Sequence, residues 1–97
     1  MIADLRWFGR KQGRLLLRAA SEYLTVDPLA ETQQMKTLRP NRIAQRELRL
    51  FNKYRVLFNV DQALTSVTLI LVGEKRGEAL IVQGERFTAH YESDSPQ

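Results

Sequence analysis

Cysteine is absent from this chain, and histidine and tryptophan occur once each. Without thiols there is no disulfide framework and no thiolate metal site, and a single histidine leaves a histidine-based metal site without its partners. The absence of cysteine fits a cytoplasmic protein. Long apolar runs are missing too. The longest, Val67–Val72, is far short of the ~18 residues that a spanning helix needs, so no membrane association is expected. Arg6, Arg10, Lys11 and Arg14 interrupt the first apolar residues, so no secretory h-region is read there. No glycine-rich phosphate loop occurs, and no cofactor is expected.

What is present is enough for one small domain. The 97 residues are 43% hydrophobic, ordinary for a folded globular chain, and carry a net charge of +4. That charge is unevenly placed. Residues 1–60 hold twelve Lys/Arg and five Asp/Glu, a balance of +7, whereas residues 61–97 hold three and six, a balance of −3. A basic front of this kind suits a polyanionic partner.

The stretch Glu47–Arg76 reads as three consecutive antiparallel strands, Arg46–Leu50, Tyr54–Val60 and Ser66–Val72. Two hairpin registers compete for the first pair. A two-residue loop, Asn52-Lys53, sets Arg49 opposite Val56. A three-residue loop, Phe51-Asn52-Lys53, sets Leu50 opposite Tyr54, Leu48 opposite Val56 and Arg49 opposite Arg55. A one-residue slip exchanges the two faces of a strand, and only the second register yields a clean apolar face. It also opposes two arginines, which costs on the order of 0.2–1 kcal/mol unless an anion joins them. That anion is either a bound ligand or a neighbouring carboxylate such as Glu47. Arg55 is expected to face away from the apolar Tyr54, Val56 and Phe58.

The remaining chain is divided accordingly. Residues 1–25 are expected to form a helical hairpin, with Leu5, Phe8, Leu16, Ala19, Ala20, Tyr23 and Leu24 recurring at three- and four-residue spacing on the buried face. Gly9 and Gly13 flank the link Arg10-Lys11-Gln12. Trp7 and Phe8 are assigned to the helix–sheet interface, and Arg10, Arg14 and Arg18 form a basic ridge. Residues 26–45 read as a basic connector with breaks at Asp27-Pro28 and Pro40-Asn41. Lys36, Arg39, Arg42 and Arg46 on or beside it are candidates for binding RNA or a protein partner. Gly73–Gly77 is read as a loop, Ala79–Val82 as a short strand, Glu85–Tyr91 as an edge strand, and 92–97 as a frayed tail.

The order and spacing of LRP (Leu38–Pro40), ELRL (Glu47–Leu50), YRVLFNVD (Tyr54–Asp61), LVGEKRG (Leu71–Gly77) and ALIVQGERF (Ala79–Phe87) resemble the RelE/ParE family of bacterial type II toxins. The resemblance implies an α+β fold, with an N-terminal helical hairpin on a twisted antiparallel sheet of three to four strands. The family's opening β-strand is not read before Asp4-Leu5-Arg6, so either the start lies upstream of Met1 or that strand is lost. It also implies a cognate antitoxin that covers the basic surface, and either cleavage of mRNA on the ribosome or poisoning of DNA gyrase. For RNA cleavage, Arg55 looks like the phosphate-stabilising arginine, with Arg49 beside it and Lys75 or Arg76 as a second cationic contact. The family's C-terminal tyrosine has no counterpart in Ala79–Val82. Glu47, His90 and Tyr91 remain for proton transfer. A non-catalytic family member, or a plain nucleic-acid-binding module, is the competing expectation.

Overall fold

Leu16, Ala20 and Leu24 recur at four-residue spacing and bury one stripe of a long helix, against which one face of the sheet packs. The computed structural model describes residues 2–87. Helix α1 spans Ile2–Trp7 and α2 spans Gly9–Val26. Six strands follow: β1 Met35–Thr37, β2 Arg46–Leu50, β3 Tyr54–Asp61, β4 Ser66–Arg76, β5 Ala79–Val82 and β6 Glu85–Arg86. They form one antiparallel sheet in chain order, with the helix pair packed on it. The α+β class stands, and the sheet has six strands rather than three to four. Among the described residues no strand precedes the helices.

The hairpin register is the one with the three-residue loop. Leu50 lies opposite Tyr54, Leu48 opposite Val56 and Arg49 opposite Arg55. Phe51 and Asn52 take the positive φ values (52° and 61°) that this turn requires. On the helix side Leu48, Leu50, Tyr54, Val56, Phe58 and Val72 meet Leu16, Ala20 and Leu24 in one core. On the other side Leu57, Leu71 and Leu80 meet Leu38 and Ala44 in a second.

Several boundaries differ from the expectation. The chain bends at Phe8-Gly9, where Gly9 has φ +85°, so Arg10-Lys11-Gln12 lies inside α2 rather than in a link. Residues 35–37 pair with β2, so the connector contributes a short edge strand. Leu38 and Ala44 then bury on the far side of the sheet, around a turn that Asn41 holds by accepting the Ile43 and Ala44 amides at 2.7 and 3.0 Å. Strand β4 continues through Glu74-Lys75 to Arg76, and the turn is only Gly77-Glu78. In β4 the partner of Leu57 is Leu71 and that of Phe58 is Leu69. This bulge at Ile70 sends Leu69 and Val67 to the helix-side core while Leu71 joins the other. Trp7 is not in the interface. It is 58% exposed and lies over the β5–β6 turn, where a Cβ on Gly84 would fall 2.5 Å from its ring. Phe8 does pack inward, edge-on to Tyr54 at 5.3 Å.

Only Glu74, Lys75 and Arg76 of β4 pair with β5, so among the described residues the earlier part of that strand has β3 as its one strand neighbour. Helix α1 covers part of it. The buried Asp4 carboxylate accepts the Val72 amide at 3.1 Å and the Gln83 side-chain amide at 2.7 Å. Sheet edges are commonly protected in this manner. Asp4→Ala leaves the Val72 amide buried without its acceptor and is expected to cost about 1.5 kcal/mol. Urea unfolding of Asp4→Ala beside Asp4→Asn reads this directly, and equal stability of Asp4→Ala and wild type would contradict the capping role.

Candidate nucleic-acid interface

Glu47 and Arg49 are two residues apart on β2 and therefore share a face, and the register brings Arg55 of β3 opposite Arg49. Glu47 is then diagonal to Arg55, within reach of a long side chain. The Arg49 Nε lies 3.0 Å from Glu47 Oε1, and the Arg55 Nε lies 3.8 Å from the same oxygen. The anion expected between the opposed arginines is thus supplied in part by Glu47. Arg55 faces away from Tyr54 and Phe58 as expected, but its side chain is only 11% exposed, so it is a shielded group and not a solvated one. Its Nη1 donates to the Tyr54 carbonyl at 3.0 Å. Arg49 is the more open of the two, at 36%.

A cleft of about 670 Å³ opens over this pair, between α2, β1 and the β2–β3 turn. Arg18, Glu22 and Tyr23 line it from the helix, Gln34 and Lys36 from the β1 segment, and Arg49, Phe51, Asn52 and Arg55 from the hairpin. Its lining thus carries four cationic side chains and one carboxylate, Glu22, while the buried Glu47 is paired with Arg49 and does not itself line the cleft. Arg18, Glu22 and Tyr23 were not among the residues expected here. Arg18 and Glu22 are one helical turn apart, so a shared face was readable, but which groove that face borders depends on how α2 docks. Tyr23, expected on the buried stripe, is 42% exposed.

The other candidates are dispersed. Arg46 is buried on the helix side of the sheet. Its guanidinium binds the Glu31 carboxylate at 3.0 Å, the Thr37 hydroxyl at 2.9 Å and the Ala30 carbonyl, tying the segment after α2 to the sheet. It is a structural arginine. The Thr37 hydroxyl, first, and the Arg46 guanidinium together hold the Glu31 carboxyl below its ordinary value, although burial, the second-largest effect, opposes them. A lowered folded-state value means that this tie is complete above the ordinary glutamate range and is lost as pH falls through the lowered one. Arg39 and Arg42 are exposed on the turn around Asn41, outside the cleft. Lys75 shares the Arg55 face by alternation, since Arg55 lies opposite Gly73, but it pairs with Leu80 and does not line the cleft. Arg76 falls on the opposite face and is held by Glu74 at 3.2 Å. His90 and Tyr91 lie outside the described residues.

Among the described residues, no group of three or more histidine, cysteine, aspartate or glutamate side chains is placed to hold a metal ion, and no helix is long and apolar enough to cross a membrane. The groups that line the cleft are three guanidinium groups, an ammonium, a phenol and the Glu22 carboxylate, a cationic balance that suits a phosphate-bearing ligand. No protein-family model matches this chain, and neither a curated protein nor a solved structure matches it.

Proposed function

We propose that this chain is a toxin of the RelE/ParE type, acting in the cytoplasm, restrained by a cognate antitoxin, and directed at mRNA on the translating ribosome. The observation that carries this reading is the opposition of Arg49 and Arg55 in the lining of a cleft that Arg18 and Lys36 also line. In the reaction the RNA 2′-hydroxyl attacks the adjacent phosphorus. The bond from phosphorus to the 5′-oxygen breaks, and a 2′,3′-cyclic phosphate and a 5′-hydroxyl result. The 2′-proton goes to a base and the leaving oxygen takes one from an acid, so no further reagent is needed. The added negative charge of the pentavalent transition state is what two fixed guanidinium groups stabilise.

A second reading is a non-catalytic member that binds DNA gyrase or only an antitoxin. It is favoured by the position of Glu47, which is buried beside both arginines instead of being open to a substrate hydroxyl. The two readings separate in primer-extension mapping of mRNA on translating ribosomes. Arg49→Ala is the variant of choice, because Arg49 is partly exposed and its loss leaves Glu47 paired with Arg55. Cleavage is expected with wild type and a drop of about 100-fold with Arg49→Ala, the scale on which removing one transition-state donor acts. Absence of cuts from folded wild-type protein would exclude the nuclease, and a gyrase supercoiling assay then tests the second reading.

A further inference from the structure

Phe51 is the first residue of the β2–β3 turn, and two properties set it apart. It is a bulky side chain at φ +52°, a left-handed conformation that costs such residues energy and that glycine adopts freely. It is also 56% exposed, although the two cores lie a few residues away. An edge contact to Tyr54, with ring centroids 6.4 Å apart and planes at 86°, fixes the ring's orientation without burying it. The turn itself is satisfied by Lys53 donating to the Leu50 carbonyl at 3.2 Å, which uses no side chain of Phe51. An exposed aromatic at a position where glycine is the cheaper choice points to a use in binding.

What surrounds the ring identifies the ligand. Phe51 borders the cleft of about 670 Å³ whose other lining includes Arg18, Lys36, Arg49, Arg55 and the half-exposed Tyr23. That volume is within the ~300–1,000 Å³ typical of ligand clefts. Cationic groups that track a phosphate backbone, beside an aromatic face on which a base stacks, are the two components of single-strand recognition. Duplex RNA keeps its bases stacked on each other, whereas unpaired bases can be splayed onto a side chain.

We infer that Phe51 is a base-stacking platform at the mouth of the arginine cleft, and that the cleft takes a single-stranded RNA segment with one phosphate over Arg49 and Arg55. This rests on the phosphate-directed reading above and adds a contact to the base. The role is one of substrate positioning, since Phe51 carries no group that moves a proton.

The test compares binding of a short single-stranded RNA with that of an abasic oligonucleotide of the same length and charge, by fluorescence anisotropy at low salt. Phe51→Gly is expected to weaken the base-containing strand about tenfold, within the range for loss of one stacked base. The abasic strand should bind the two proteins alike, and Phe51→Trp should keep the preference for bases. Thermal unfolding is the control. Phe51→Gly relieves a positive φ and should be at least as stable as wild type. Equal weakening of both strands, no weakening of either, or no binding by wild type would each overturn the stacking role. Ribosomal cleavage is scored separately. Cleavage that persists undiminished in Phe51→Gly would sink this inference and leave the nuclease reading intact. Base-dependent binding without cleavage would do the reverse.

Discussion

Glu47→Ala should lower the unfolding free energy by about 3–5 kcal/mol, the cost of removing one partner from a buried ion pair. Its carboxylate is 5% exposed and is shared by the Nε groups of Arg49 and Arg55. Removing it leaves two opposed guanidinium groups, one of them nearly buried, without that negative charge. Most of the effect is the penalty on the stranded arginine and not the worth of the pair. Replacing both Glu47 and Arg55 by leucine should accordingly recover much of the loss, since an apolar pair next to Leu57 and Leu71 carries no desolvation penalty. Urea unfolding of wild type, Glu47→Ala and the double leucine variant gives both quantities. A change below about 0.5 kcal/mol for Glu47→Ala, the scale of an ordinary surface site, would mean that the carboxylate does not hold the two arginines together. The same carboxylate offsets positive charge where the proposed phosphate would sit. Glu47→Gln at a pH and temperature where it remains folded should therefore bind a polyanion more tightly than wild type.

The hairpin around that pair was legible in the sequence because its two faces differ near the turn, although Leu57 makes the second face apolar farther along β3. Tyr54, Val56 and Phe58 alternate with polar residues at Arg55 and Asn59, and a one-residue slip would have buried Arg49 in the helix-side core. Glu47 as the neutralising group was among the alternatives, since it shares a face with Arg49. Where both faces are apolar, alternation carries no information. The bulge at Ile70 sits in such a run, Val67–Val72, and no local signal shows which residue is the extra one. The end of β4 was hidden for a different reason. Glycine and charge at Gly73–Gly77 read as a loop, but Gly73 is there because β5 approaches closely, with the Ile81 carbonyl 2.8 Å from where a Cβ would stand. Strand β1 has three residues, too few for a period, and is defined by its partner β2. The cleft was half legible. Arg49, Arg55 and Lys36 come from the strands, whereas Arg18, Glu22 and Tyr23 join them only once α2 has docked.

Gly13→Ala should destabilise the protein by about 3 kcal/mol, against the gain of roughly 0.5–1 kcal/mol that alanine brings to an exposed helix interior. Gly13 lies within α2, beside the segment Arg10-Lys11-Gln12 expected as a link, and it is buried. A Cβ there would fall 2.5 Å from the Leu5 carbonyl oxygen and 3.2 Å from its carbon, both backbone atoms of α1. A rotamer change cannot relieve contact with backbone, so α1 must move as a body. Moving α1 draws Asp4 away from the Val72 amide and Phe8 away from Tyr54. The cost therefore exceeds that of the clash alone and is shared with the edge of β4. A comparison with Gln12→Ala, one residue earlier in the same helix and exposed to a greater degree, separates helix propensity from packing. Thermal unfolding should show Gln12→Ala near wild type and Gly13→Ala well below it. If Gly13→Ala were the more stable, the close crossing of α1 and α2 would be wrong, and with it the placement of Asp4 on the sheet edge. Loss of the crossing without loss of the cleft is also measurable, because Arg49 and Arg55 depend on the β2–β3 register and not on α1. Gly13→Ala should thus retain the RNA binding proposed above at temperatures where it is folded.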